Sequence, residues 1–160
     1  MKVFILLLLL FVFKVAEAQV YTGGNVGVNY RNGLFVDFSP LVGYQLEEYH
    51  VNVGVAPVVS YSRVYDSPAR YSYGGRAFGQ YLVTKDFFTH AEINLLNVPG
   101  YNDRTMGSRI WILSLPIGGG YQYKIGPGVM FQAMVLYDIL VGPSSPNENP
   151  IVRMGVNYSF

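Results

Sequence analysis

Hydrophobic and polar positions alternate with a period of two along most of the chain beyond residue 18. Val26, Val28 and Tyr30 form one short alternating run, and Leu34, Val36, Phe38, Val42 and Tyr44 form the next, with Asp37, Ser39, Gly43 and Gln45 between them. Val51, Val53, Val55, Val59 and Tyr61 alternate with Asn52, Gly54, Ala56, Ser60 and Ser62. Val152, Met154, Val156, Tyr158 and Phe160 alternate with Arg153, Gly155, Asn157 and Ser159. Weaker alternation fills the middle: Ala77, Tyr81 and Val83 against Arg76 and Gln80, then Ala91, Ile93 and Leu95 against His90, Glu92 and Asn94. Trp111, Leu113, Leu115 and Ile117 oppose Ser114, Gly118 and Gln122, and Phe131, Ala133, Val135 and Tyr137 oppose Gln132 and Asp138. Successive side chains on a strand point to opposite faces, so each run builds one apolar and one polar face. The pattern predicts eight strands, over 20–31, 34–45, 50–64, 73–83, 88–96, 109–123, 128–138 and 151–160.

The connections alternate in length. Residues 46–49, 84–87 and 124–127 are tight, whereas 65–72, 97–108 and 139–150 are longer and rich in Pro, Ser, Asn, Asp or Gly. Tight turns at one rim and longer loops at the other describe a transmembrane barrel. Asn32-Gly33 is a two-residue hairpin signal that makes the first outer loop minimal. Strands of about ten residues, tilted about 40°, reach roughly the 25 Å height of an apolar band. The expected fold is therefore all-β: an eight-stranded antiparallel up-and-down transmembrane β-barrel over 19–160, preceded by a cleaved signal peptide over 1–18.

That leader is read from Lys2, the apolar run Val3 to Phe13, and the small-x-small site Ala16-Glu17-Ala18. The run is shorter than the roughly 20 residues of a spanning helix. Without Lys2, Lys14 and Glu17, nine basic and nine acidic residues remain, so the mature chain is neutral. Charged residues are 13% of the sequence, about half the share usual in a soluble domain. Such a chain carries no electrostatic footprint for nucleic acid. With no Cys, it also has no disulfide framework and no thiolate metal site.

The placement of the charges decides which face meets lipid. A water-soluble ligand-binding barrel needs a charged exterior, but here the polar face is mostly Gly, Ser, Asn and Gln. The charges Asp37, Arg76, Glu92, Asp138 and Arg153 all share that polar face, as does His90. A lipid-facing Arg at mid-bilayer costs roughly 2–4 kcal/mol, which is why the apolar face excludes them. An eight-stranded barrel is just wide enough inside for side chains to fill it. Asp37, Arg76, His90, Glu92, Asp138 and Arg153 are accordingly expected to form a mutually neutralising lumen network. Arg109 shares the face of Trp111 and belongs at the outer rim, where its stem reaches headgroups. Tyr30, Tyr44, Tyr61, Tyr121, Tyr123, Tyr137 and Tyr158 fall near strand ends, as an interfacial girdle requires.

No catalytic, cofactor-binding or metal-binding set emerges. His90 beside Glu92 could form an acid–base dyad in the outer half of its strand, although a satisfied polar core residue explains it as well. There is no Gly-x-Ser-x-Gly elbow, His-Glu-x-x-His motif or phosphate loop. Gly118-Gly119-Gly120 lacks a following Lys-Ser/Thr and reads as a site of curvature or close packing.

Several segments, among them residues 36–46, 73–81, 90–97, 113–121, 134–138, 145–150 and 152–155, resemble small outer-membrane β-barrel proteins common in Bacteroidota. That family is related in architecture to OmpA- and OmpX-type barrels. The terminal Phe160, with Tyr158 two residues before it, resembles the signal read by the barrel-assembly machinery. The resemblance implies a fold, a place in the bacterial outer membrane, contact with outer-membrane lipid, and passage through that machinery. It implies no activity. The expected role of this monomer is structural, adhesive or surface-interacting. The alternatives are an outer-membrane enzyme acting at the outer rim on lipid or peptide, and a narrow channel. Replacing Tyr101, Asp103 and Arg104 with Ala should disturb a binding role, whereas His90→Ala should abolish an enzymatic one.

Overall fold

The computed structural model describes residues 19–30, 33–64, 69–100, 108–140 and 149–160. The leader, Asn32 of the first hairpin, and Tyr101, Asp103 and Arg104 lie outside the described residues. Nine strands carry the fold: β1 Gln19–Tyr30, β2 Gly33–Leu46, β3 Val51–Val64, β4 Arg70–Leu82, β5 Phe87–Pro99, β6 Arg109–Ser114, β7 Pro116–Gly126, β8 Val129–Asp138 and β9 Ile151–Ser159. All pairings are antiparallel; strands pair with their chain neighbours except that β5 takes both β6 and β7, and β1 pairs with β9 to close the cylinder. Closure removes the sheet edges of the wall except along β6, which among the described residues pairs only with β5.

β6 and β7 are two halves of one stave, which makes an eight-strand barrel. Asn94 pairs with Ser114 and Ala91 with Ile117, so the register against β5 is unchanged across the interruption. The break falls at Leu115 because Pro116 has no N–H to give the ladder. Sequence alternation alone shows one continuous strand over 109–123, since it reports side-chain facing and not backbone bonding.

Alternation becomes inside and outside as expected. Val26, Phe38, Val55, Ile93, Leu113 and Val135 are exposed on the outer wall, while Asp37, Arg76, Gln80, Glu92, Gln132 and Arg153 are buried within. The lumen is less polar than the sequence suggests. Tyr21, Leu41, Ala56 and Phe78 form one buried apolar cluster; Phe88, Met134, Leu136 and Ile151 form a second; Val58, Leu96 and Val98 form a third, with Ile110 and Ile112 of β6 packed on it. Glycines let the walls approach: a Cβ on Gly118 would collide with the Val135 carbonyl oxygen.

The tight connections at 47–50, 83–86 and 127–128 share a rim with the strand ends at Gln19 and Ser159, and the strand ends at Val64, Arg70, Pro99, Arg109, Asp138 and Ile151 lie towards the opposite rim. Outward aromatics mark both levels. Tyr44, Tyr81, Phe87, Tyr121, Tyr123, Tyr158 and Phe160 lie towards the tight-turn rim, and Tyr30, Tyr71, Tyr73, Trp111 and Tyr137 towards the other.

Candidate functional site

The lumen site is built on Glu92. Its carboxylate accepts Arg153 Nη1 at 2.8 and 2.6 Å on its two oxygens. Asn94 Nδ2 donates to Oε1 at 2.9 Å, and His90 Nε2 lies 2.9 Å from Oε2. Arg76 Nε is 3.4 Å from the same carboxylate and donates to Asn94 Oδ1 at 2.9 Å. The Arg76 fork also reaches Ser39 Oγ at 2.9 Å and Asp37 Oδ1 at 3.2 Å. Arg153 Nε lies 3.8 Å from that Asp37 oxygen, closing the circuit. Two guanidiniums stand against two carboxylates, so the formal charges of the Arg, Asp and Glu side chains cancel.

Period two explains the assembly. Asp37 and Ser39 are inward neighbours on β2, and His90, Glu92 and Asn94 are inward neighbours on β5. Arg76 enters from β4 beside them, and Arg153 reaches from β9 across the lumen. Arg153 and Glu92 are each 2% exposed. Charges so far from water are tolerated when paired and hydrogen-bonded. Asn94 and Ser39 did not stand out in the sequence because they are uncharged. Their signal was position, two residues from a carboxylate on the same face.

Asp138 stands apart from this cluster. Its Oδ1 accepts the Leu115 N–H at 2.9 Å and the Leu140 N–H at 3.1 Å, while its backbone is held by the Asn149 side chain. It therefore caps the interruption between β6 and β7. Its charge marks an inward position, but its partners are backbone groups that no side-chain pattern reveals.

His90 lies in the inner half of β5, near the tight-turn rim, not in the outer half, because β5 rises from the turn at 83–86. It is buried, with its ring stacked on Phe78 at a centroid distance of 5.6 Å. That position offers no acid–base dyad to a substrate at the outer rim. Below the ion cluster, amides form a relay: Asn52 donates to Gln80 at 3.5 Å, Gln80 to Gln132 at 3.3 Å, Gln132 to Gln122 at 3.2 Å, and Gln122 to the Lys85 carbonyl at 3.0 Å. The described residues hold no group of three or more metal-ligating side chains.

Tyr158 and Phe160 lie on the outer wall, their rings edge to face at 5.2 Å. Arg109 also faces outward, at the long-loop rim. Its guanidinium bonds the Asn97 side chain and donates to the Asn97 and Tyr71 carbonyls at 2.7 and 3.2 Å. It sits 4.7 Å over the Tyr73 ring.

No protein-family model matches the chain, and no curated protein matches it. Among solved structures, the Yersinia pestis outer membrane protein Ail in a phospholipid bilayer nanodisc aligns at 13% identity, over 90% of this chain and 100% of that one, with a TM-score of 0.53. The N-terminal β-barrel domain of Pseudomonas aeruginosa OprF aligns at 16% identity over 90% and 100%, with a TM-score of 0.49. Neisserial surface protein A aligns at 19% identity over 89% and 97%, with a TM-score of 0.45. At such identities the likeness is one of fold: a closed antiparallel eight-strand barrel of the transmembrane kind.

Proposed function

We propose that this chain is a monomeric bacterial outer-membrane protein whose closed barrel holds its outer loops at the cell surface for a structural, adhesive or surface-interaction role. The observation that carries the reading is an apolar outer wall around a lumen crossed by a neutral ion cluster. The wall suits lipid, and the cluster fills the space a solute would use. Ail, which shares the fold, is described as an attachment invasion locus protein. The leader over 1–18 would take the chain to the secretory pathway, and Tyr158 with Phe160 would serve as the signal to the barrel-assembly machinery. The sequence resemblance adds Bacteroidota as the source to which this reading points.

Two measurements test it. Purified barrel added to planar lipid bilayers should produce no discrete conductance steps, and regular steps would favour the narrow channel. Host cells displaying the protein should adhere to a panel of protein-coated surfaces more than cells displaying Tyr101→Ala, Asp103→Ala and Arg104→Ala together. Equal adherence on every surface would contradict the surface-interaction role.

A further inference from the structure

The outer wall is apolar along the strands, except where β3 to β6 meet the long-loop rim. Two arginines there face outward, Arg63 on β3 and Arg109 on β6, and both are exposed. Among the described residues neither is in an ion pair. Cations on a lipid-facing wall, with no ion pair among the described residues, suit a compensating anion.

The surface between them is built of aromatics. Tyr61 pairs with Tyr71 in register, and their rings meet edge to face at 5.4 Å. Tyr73 lies under the Arg109 guanidinium, and Trp111 stands beside Arg109 on β6, 59% exposed. Arg109 does not roam: the Tyr71 and Asn97 carbonyls and the buried Asn97 amide fix Nε and Nη2, leaving Nη1 without a hydrogen bond among the described residues. Arg63 and Arg109 are three strand spacings apart and two residues out of line, about 16 Å at the backbone, and the Arg109 head leans over β4 towards Arg63. A guanidinium presents paired N–H groups that match phosphate geometry, and Tyr and Trp rings sit at headgroup level.

We propose that the facet of Arg63, Tyr61, Tyr71, Tyr73, Arg109 and Trp111 binds the phosphorylated headgroup of a membrane lipid at the long-loop rim. The acyl chains then lie along the apolar wall below, and the two cations are neutralised by phosphate. This rests on the reading of the barrel as membrane-embedded. Of the possible anions, a lipid fits best because the same facet continues into an apolar surface. A soluble anion would use the cations and leave that surface unexplained.

Trp111 is the single Trp of the chain, so its fluorescence reports the facet directly. The native protein refolded into vesicles is titrated with phosphatidic acid or phosphatidylcholine carrying brominated chains, which quench Trp on contact. Brominated phosphatidic acid should be preferred about 25-fold, each of the two basic side chains near an anionic surface being worth about fivefold. Arg63→Gln and Arg109→Gln should each weaken the preference about fivefold, and the double variant should abolish it. The folded band of every variant on unboiled gels confirms the barrel. Equal quenching by both lipids in the native protein, or an undiminished preference in the folded double variant, overturns the headgroup site. Absence of quenching by either lipid refutes membrane embedding itself. Inorganic phosphate in excess, with ionic strength held constant, should leave the preference intact. Its loss would assign the facet to a soluble anion and overturn the lipid proposal.

Discussion

Arg153 and Arg76 tie β9 and β4 to the carboxylates of β2 and β5, so removal of either cation strands a buried negative charge. Breaking such a pair costs about 3–5 kcal/mol. Arg153→Ala and Arg76→Ala should therefore lower the urea midpoint of the vesicle-refolded barrel, read as loss of the fast-migrating band on unboiled gels. Unchanged midpoints in both variants would contradict the role given to the cluster. Glycines give a finer test. At Gly118 an added Cβ meets backbone that cannot yield, whereas at Gly75, on the outer wall, it meets nothing within 4 Å. Gly118→Ala should destabilise the barrel, and Gly75→Ala should stabilise it by about 0.5–1 kcal/mol through lost unfolded-state freedom. The same urea titration reads both. The sequence showed Asp37, Arg76, His90, Glu92 and Arg153 on one face, but not which would touch. Contacts across a barrel depend on closure and on the length of each side chain.

Strands were legible because alternation and turn chemistry agree. The largest departure is the sixth stave, where one expected strand is two with the register kept. Pro116 takes a donor from the ladder, and Asp138 supplies the acceptor for the neighbouring Leu115 N–H. Leaving that donor unpaired costs about 1–3 kcal/mol. In Asp138→Ala, hydrogen exchange at the Leu115 and Leu140 amides should accelerate about tenfold or more, while β1 to β3 keep their protection. Uniform acceleration through the barrel would instead mark Asp138 as a global support. Strand ends were less legible than strand centres: β5 runs on to Pro99 because β6 pairs with it there, a partnership that becomes visible only once the hairpin is closed.

For the whole molecule, the shortage of charge and the two-faced strands pointed to a lipid-covered barrel, and the closed fold fits that reading. What the pattern could not foresee was how much of the interior is apolar. Phe78, Phe88, Leu96, Met134 and Leu136 face inward with the same hydrophobicity as their outward neighbours, so composition by face blurs where the lumen is filled by packing. An outer wall with Phe38 at 54% and Val55 at 55% exposure has to be covered by lipid and not by water if the barrel is membrane-embedded. Fractionation of an outer-membrane-bearing host that makes the full chain tests this most directly. The folded, heat-modifiable protein should sediment with membranes, resist carbonate extraction and be released only by detergent. Recovery of the folded barrel from the aqueous periplasmic fraction without detergent would contradict it.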